Sequence, residues 1–121
     1  MSIRDQLLQD IADHPDDWSL RAIAADWAED HGETNLAECL RWMIRHRKRP
    51  YRSARNLACW FDADRIDPGL GDPESDIPGQ LFELLPFGEQ QANHRIFINV
   101  RQAEEALYRA WHLARQSGWH G

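Results

Sequence analysis

Apolar residues recur at intervals of three and four through three successive stretches of the first fifty residues. Ile3, Leu7, Leu8 and Ile11 form the first stripe, with Ser2 placed to cap it and Pro15 to break it. After His14-Pro15-Asp16-Asp17 the positions Leu20, Ile23, Ala24, Trp27 and Ala28 form a second stripe. Acidic residues stand at the positive end of its dipole, and Gly32 supplies the stop. Leu36, Cys39, Leu40, Met43 and Ile44 make a third, in which Asn35 and Glu38 have the spacing of a capping box, cations crowd the last turns and Pro50 ends the run. The pattern predicts helices over residues 17–31 and 35–49. A connection of about three residues requires two such helices to pack as an antiparallel hairpin, with Trp27 between them, Leu40 in the facing stripe and the nearby carboxylates on the wet side.

Beyond residue 50 the pattern is less regular. Ser53 to Phe61 reads as a short fourth helix, and residues 62–79, with Pro68, Gly69, Gly71 and Pro73 and no apolar period, as a long surface loop. Pro78 is placed to open a short helix through Leu81, Phe82, Leu84 and Leu85, closed by Pro86 and Gly88. Residues 95–100 are β-branched and aromatic and alternate weakly, which predicts a strand in need of a partner. Asn99 and Gln102 resemble another capping box, and Ala103, Ala106, Leu107, Ala110, Trp111 and Ala114 build a long final helix that Gly118 ends. The expected fold is therefore mainly α. It is a small helical domain built on the hairpin, with a long C-terminal helix and a short β element near 95–100. One domain spans residues 1–121, with 51–121 packing on the first fifty.

The length of 121 residues suits one ordinary domain, which buries roughly two thirds of its unfolded surface without a metal or disulfide. The six tryptophans (Trp18, Trp27, Trp42, Trp60, Trp111 and Trp119) are many for this length; some are expected in the core and some at an interface. Cys39 and Cys59 lack the CxxC spacing of a redox or zinc motif and read as buried free thiols, which favours a reducing compartment. No apolar leader segment opens the chain, and no window approaches the ~18 apolar residues of a membrane span, so a cytosolic protein with no membrane partner is expected.

Charge changes the picture more than composition does. The net value of −6 hides three blocks: two arginines against ten carboxylates in residues 1–40, seven basic groups and no acid in 41–60, and five basic groups against ten acids in 61–121. The middle block, Arg41, Arg45, Arg47, Lys48, Arg49, Arg52 and Arg55, is a candidate surface for phosphate or an acidic protein, with Tyr51 and Trp60 as possible stacking faces. Its alternative role is to face the acidic helix before it and be neutralised internally.

The series His14-Pro15-Asp16-Asp17, Leu20-Arg21, Ala25-Asp26-Trp27, Glu29-Asp30-His31-Gly32, Ala37-Glu38 and Leu40-Arg41 resembles the bacterial repeat-companion domain, a paralogous family often found beside repeat modules such as leucine-rich repeats. The resemblance covers about residues 5–45. Ala28 stands where the family usually has a larger aliphatic, and Trp42 follows the Leu-Arg pair. What the resemblance implies is limited to that companionship with repeat modules, and it carries no catalytic residue onto this chain.

Catalytic chemistry is not legible. Asp26, Glu29 and Asp30 share one helical face beside His31, a geometry open to a metal, yet a second element supplies no ligand and a water-facing acidic strip accounts for the same letters. Asp62 to Asp67 begins like a calcium loop but lacks the glycine at position six, and Arg65 intrudes. No GxSxG, HExxH, P-loop or GxGxxG sequence occurs. The expectation is a helical adaptor that binds another protein, with no cofactor, no metal and no activity. The alternatives are an accessory nucleic-acid binder using residues 41–55 and an acidic DNA-mimic inhibitor.

Overall fold

The computed structural model describes residues 2–62, 76–86, 89–91 and 93–120. It is mainly helical with a small sheet. Helix α1 runs Ile3–Asp13, and Ser2 caps it by accepting the Asp5 amide through its hydroxyl. Helix α2, Trp18–Asp30, is capped by the Asp17 carboxylate, which accepts the Ser19 amide. The Ser19 hydroxyl, which donates to the same carboxylate, and then that amide bond hold the Asp17 carboxyl below its ordinary range. Gly32 closes α2 with φ of 78°, a left-handed conformation that glycine adopts without strain, and the Glu33 amide donates back to the Ala28 carbonyl at 2.8 Å.

Helix α3 is Thr34–His46, and here the expected cap is replaced. Glu33 occupies the cap position without a side-chain bond. Asn35 donates across to His112 at 2.8 Å, and Glu38 pairs with Arg115 at 2.8 Å. Both side chains of the presumed capping box are thus drawn to the last helix. The far end also comes earlier than residue 49, because Arg47 takes a left-handed φ of 54° and Lys48 donates to the Met43 carbonyl at 2.9 Å.

The fourth helix expected over 53–61 is instead a hairpin of β1, Tyr51–Arg52, and β2, Ala58–Asp62. Ser53 makes the turn: its hydroxyl accepts the Arg55 and Leu57 amides, while Asn56 sits at φ of 61°. All five residues of β2 are buried, and a short unbroken apolar run does not reveal its period. Strand β3, Asp76–Ile77, pairs in parallel with Phe61 and Asp62, so the expected loop ends in sheet; its residues 63–75, and with them most of the calcium-like stretch, lie outside the described residues. Helix α4, Gly79–Leu84, follows Pro78 as expected. Strands β4, Glu89–Gln91, and β5, His94–Phe97, complete an order of β1-β2-β5-β4, with β3 on the same edge of β2 as β1. The strand foreseen near 95–100 thus finds its partners in β2 and β4, both antiparallel to it.

Helix α5, Val100–Gln116, is the element on which the rest converge, touching α1, α3, α4, β2 and β5. A single apolar cluster draws on all five helices and on β2, β3 and β5. Three tryptophans, Trp42, Trp60 and Trp111, are buried, whereas Trp18, Trp27 and Trp119 are half-buried. Trp27 is therefore not enclosed between α2 and α3. The residues of α2 and α3 that are buried in the core include Ala24, Ala25 and Ala28 on α2 and Leu36, Ala37 and Leu40 on α3, and the bulky ring is only half-buried, stacked on His31 with centroids 4.4 Å apart.

The Asn99 carboxamide caps α5 by accepting the Gln102 backbone amide at 2.9 Å, and the Gln102 side-chain Oε1 accepts the Ile98 amide at 3.3 Å. Asn99→Ala is expected to lower unfolding free energy by about 1 kcal/mol, read from urea denaturation, with Asn99→Ser recovering most of it.

Candidate functional site

The seven cations of the basic segment do not form one surface. On α3, Arg41 reaches Asp26 at 2.9 Å and Glu29 at 2.7 Å, so it is tied to the acidic face of α2. The hydrogen bonds it donates to Glu29 and then to Asp26 hold its guanidinium still more firmly protonated than usual. Arg49 pairs with Asp16 at 3.2 Å. Arg52 donates to the Asn56 carbonyl within the hairpin turn, where Arg55 is also exposed. Lys48 is half-buried just past the end of α3, held there by its amide bond to Met43. Arg47 and Arg45 remain, at that end of α3. Arg47 lies over the Trp18 ring at 5.1 Å, Arg21 lies over the same ring at 4.8 Å, and exposed Arg45 stands one residue before the end of the helix.

The expectation of internal neutralisation holds for Arg41 and Arg49, the two that face carboxylates of α2 and of the turn before it. Six of the ten acids in residues 1–40 are likewise claimed. Asp5 pairs with Arg101, Asp16 with Arg49, Asp26 and Glu29 with Arg41, Glu33 with Arg4, and Glu38 with Arg115. The acidic first forty residues are thus laced with arginine rather than presented as a bare negative face. The strip at the end of α2 follows suit: two of its carboxylates serve Arg41, and the His31 ring lies on Trp27 with Nδ1 2.7 Å from the Trp27 carbonyl. Among the described residues no group of three or more His, Cys, Asp or Glu side chains is arranged to hold a metal ion.

Beneath Trp18 lies a buried polar network that periodicity did not disclose. Arg21 is inaccessible to solvent; it donates to the Glu104 carboxylate and, at 2.8 Å, to the Pro15 carbonyl. Tyr108 donates its hydroxyl to the other Glu104 oxygen at 3.0 Å. Burial pushes the Glu104 carboxyl above its ordinary range, with Arg21 and Tyr108 opposing. Burial, then the adjacent Glu104 charge, drives both the Tyr108 phenol and the Cys39 thiol well up, so that thiol is a poor nucleophile. Cys39 and Cys59 are both buried free thiols. The signal available in the sequence was the i, i+4 spacing of Glu104 and Tyr108 inside an apolar helical stripe.

A second feature joins residues distant in sequence. A cleft of about 750 Å³ opens between the start of α3 and the outer face of α5, lined among others by Arg4, Glu33, Asn35, Tyr108, Arg109 and His112. Arg4 engages Glu33 through Nε at 3.1 Å, while Asn35 and His112 bridge the two helices.

No family model, no curated protein and no solved structure matches this chain. Among the described residues, no helix is long and apolar enough to cross a membrane.

Proposed function

We propose that this chain is a small helical protein-interaction module of a reducing compartment, without catalytic activity, that holds an acidic segment of a partner protein at the end of α3. The antiparallel clasp of α2 and α3 is the scaffold in this reading, and the resemblance of residues 5–45 to the repeat-companion domain is the ground for proposing a larger partner beside it. One observation carries the proposal: Trp18, half-buried, is overlain by the guanidinium of exposed Arg47 at 5.1 Å and by that of buried Arg21 at 4.8 Å, so that an aromatic face and a solvent-accessible guanidinium meet at one spot, and exposed Arg45 lies two residues before Arg47 in the chain. Tryptophan and arginine are the residue types that dominate interface energetics, and a guanidinium pairs a carboxylate through two bonds.

The setting favours a protein over nucleic acid. A phosphate backbone needs an unbroken positive track, whereas Asp16, Asp26 and Glu29 interrupt this one with side chains that are 84, 78 and 63 per cent exposed. The test is titration of the whole protein with a glutamate-rich decapeptide and with a DNA duplex of equal charge, at low salt, reading the Trp18 indole N–H signal by NMR. The peptide should move that signal saturably, and the double change Arg45→Ala/Arg47→Ala should weaken it about ten-fold or more. Tighter binding of the duplex, with a steep salt dependence, would replace this reading by the nucleic-acid one. No response to either probe would remove both.

A further inference from the structure

We propose that the cleft between α3 and α5 binds the oxyanion group of a small molecule, a carboxylate or a phosphate. The argument rests on which charges in the cleft are already engaged. Its two carboxylates are each held by a guanidinium, Glu33 by Arg4 at 3.1 Å and Glu105 by Arg101 at 3.4 Å. Arg109, exposed on α5 and one helical turn before His112, forms no ion pair among the described residues. Arg4 contacts Glu33 through Nε, and among the described residues its terminal nitrogens form no ion pair within 4.0 Å, although its charge also acts on Asp5. The donors that remain come from three elements: the terminal nitrogens of Arg4 from α1, the second N–H of the Asn35 carboxamide from α3, whose first is spent on His112 Nδ1, and Arg109 with the Nε2 edge of His112 from α5.

The walls set the size of the ligand. A volume of about 750 Å³ falls within the range of small-molecule sites, roughly 300–1,000 Å³, and Leu36 and the Tyr108 ring give it an apolar side. Tyr108 has its hydroxyl committed to Glu104, so it offers ring rather than donor to an occupant. The cleft opens at the first residues of α3, and Arg45 lies eleven residues further along the same helix, about 16 Å away at the rise of an α-helix. It is thus separate from the surface proposed for a partner protein, and neither proposal depends on the other.

The test is NMR titration of the whole protein with inorganic phosphate and, separately, with succinate at constant ionic strength. Saturable shifts are expected at the Thr34, Asn35 and Leu36 amides and at the His112 ring. A response to phosphate alone, or to succinate alone, supports the site and names the source of the oxyanion. Arg109→Gln should weaken binding about ten-fold and Arg109→Glu should abolish it, both with an unchanged thermal midpoint because the side chain is exposed. The absence of saturable shifts at residues 34–36 with both probes, shifts confined to Arg45 and Arg47, or an unaltered affinity in Arg109→Glu would overturn the proposal.

Discussion

Arg21→Met is expected to lower unfolding free energy by about 3–5 kcal/mol, as removal of one partner from a buried ion pair does, measured by urea denaturation near neutral pH. The guanidinium is wholly enclosed, and its loss strands the Glu104 carboxylate with only the Tyr108 hydroxyl for a partner. The double change Arg21→Met/Glu104→Leu should recover most of that deficit, since two apolar groups of similar volume replace a pair whose desolvation is costly. A pH dependence follows with a definite sign. Burial already pushes the Glu104 carboxyl up against the opposing pull of Arg21, and without Arg21 the folded-state value rises further above the unfolded one. The folded variant then holds a proton that the unfolded chain has released, so its stability is greatest below the unfolded value and is lost as pH rises through the folded one. The deficit of Arg21→Met relative to the unaltered chain should accordingly be larger near pH 8 than near pH 5. An equal deficit at both would mean that Glu104 keeps one protonation state throughout, and that the pair acts by packing alone.

The division between what could and could not be read from the sequence follows the range of the forces involved. Amphipathic stripes announced α1, α2, α3 and α5, because each of these helices keeps one face wet and one buried. Strand β2 keeps no face wet, so its letters carried no period. The caps show the same logic at smaller scale. Asn99 acts within four residues of its own position, as expected, whereas Asn35 has the same local spacing and is captured by His112, which lies 77 residues away in sequence. The ion pair of Arg21 with Glu104 spans 83 residues, and the cleft gathers Arg4, Asn35 and Arg109 from three helices; no local pattern encodes either. In the basic segment the cations were legible but their partners were not. The packing of α2 against α3 brings Asp26 and Glu29 to Arg41, and that contact converts part of a candidate binding surface into scaffold.

Trp60→Ala is expected to cost about 3–5 kcal/mol and Trp27→Ala no more than about half of that, the reverse of the weight that the α2 stripe lends to Trp27. Trp60 is fully enclosed on β2, and its indole N–H donates to the Ala103 carbonyl at 2.8 Å, a bond that ties the sheet to α5. Its removal leaves a cavity on an inner strand of the sheet, in a register that pairs Trp60 with Arg95. Trp27 has no such anchor. Its ring nitrogen finds no partner, its exposed side is covered by the His31 ring, and the small residues Ala24 and Ala28 on either side already bring α2 against α3. Equilibrium urea denaturation of both variants decides the matter. If Trp27→Ala proved the more damaging, the contact between α2 and α3 would hold the fold together; the opposite order places the main adhesion where the sheet meets α5, on the element that also carries Glu104, Arg109 and His112.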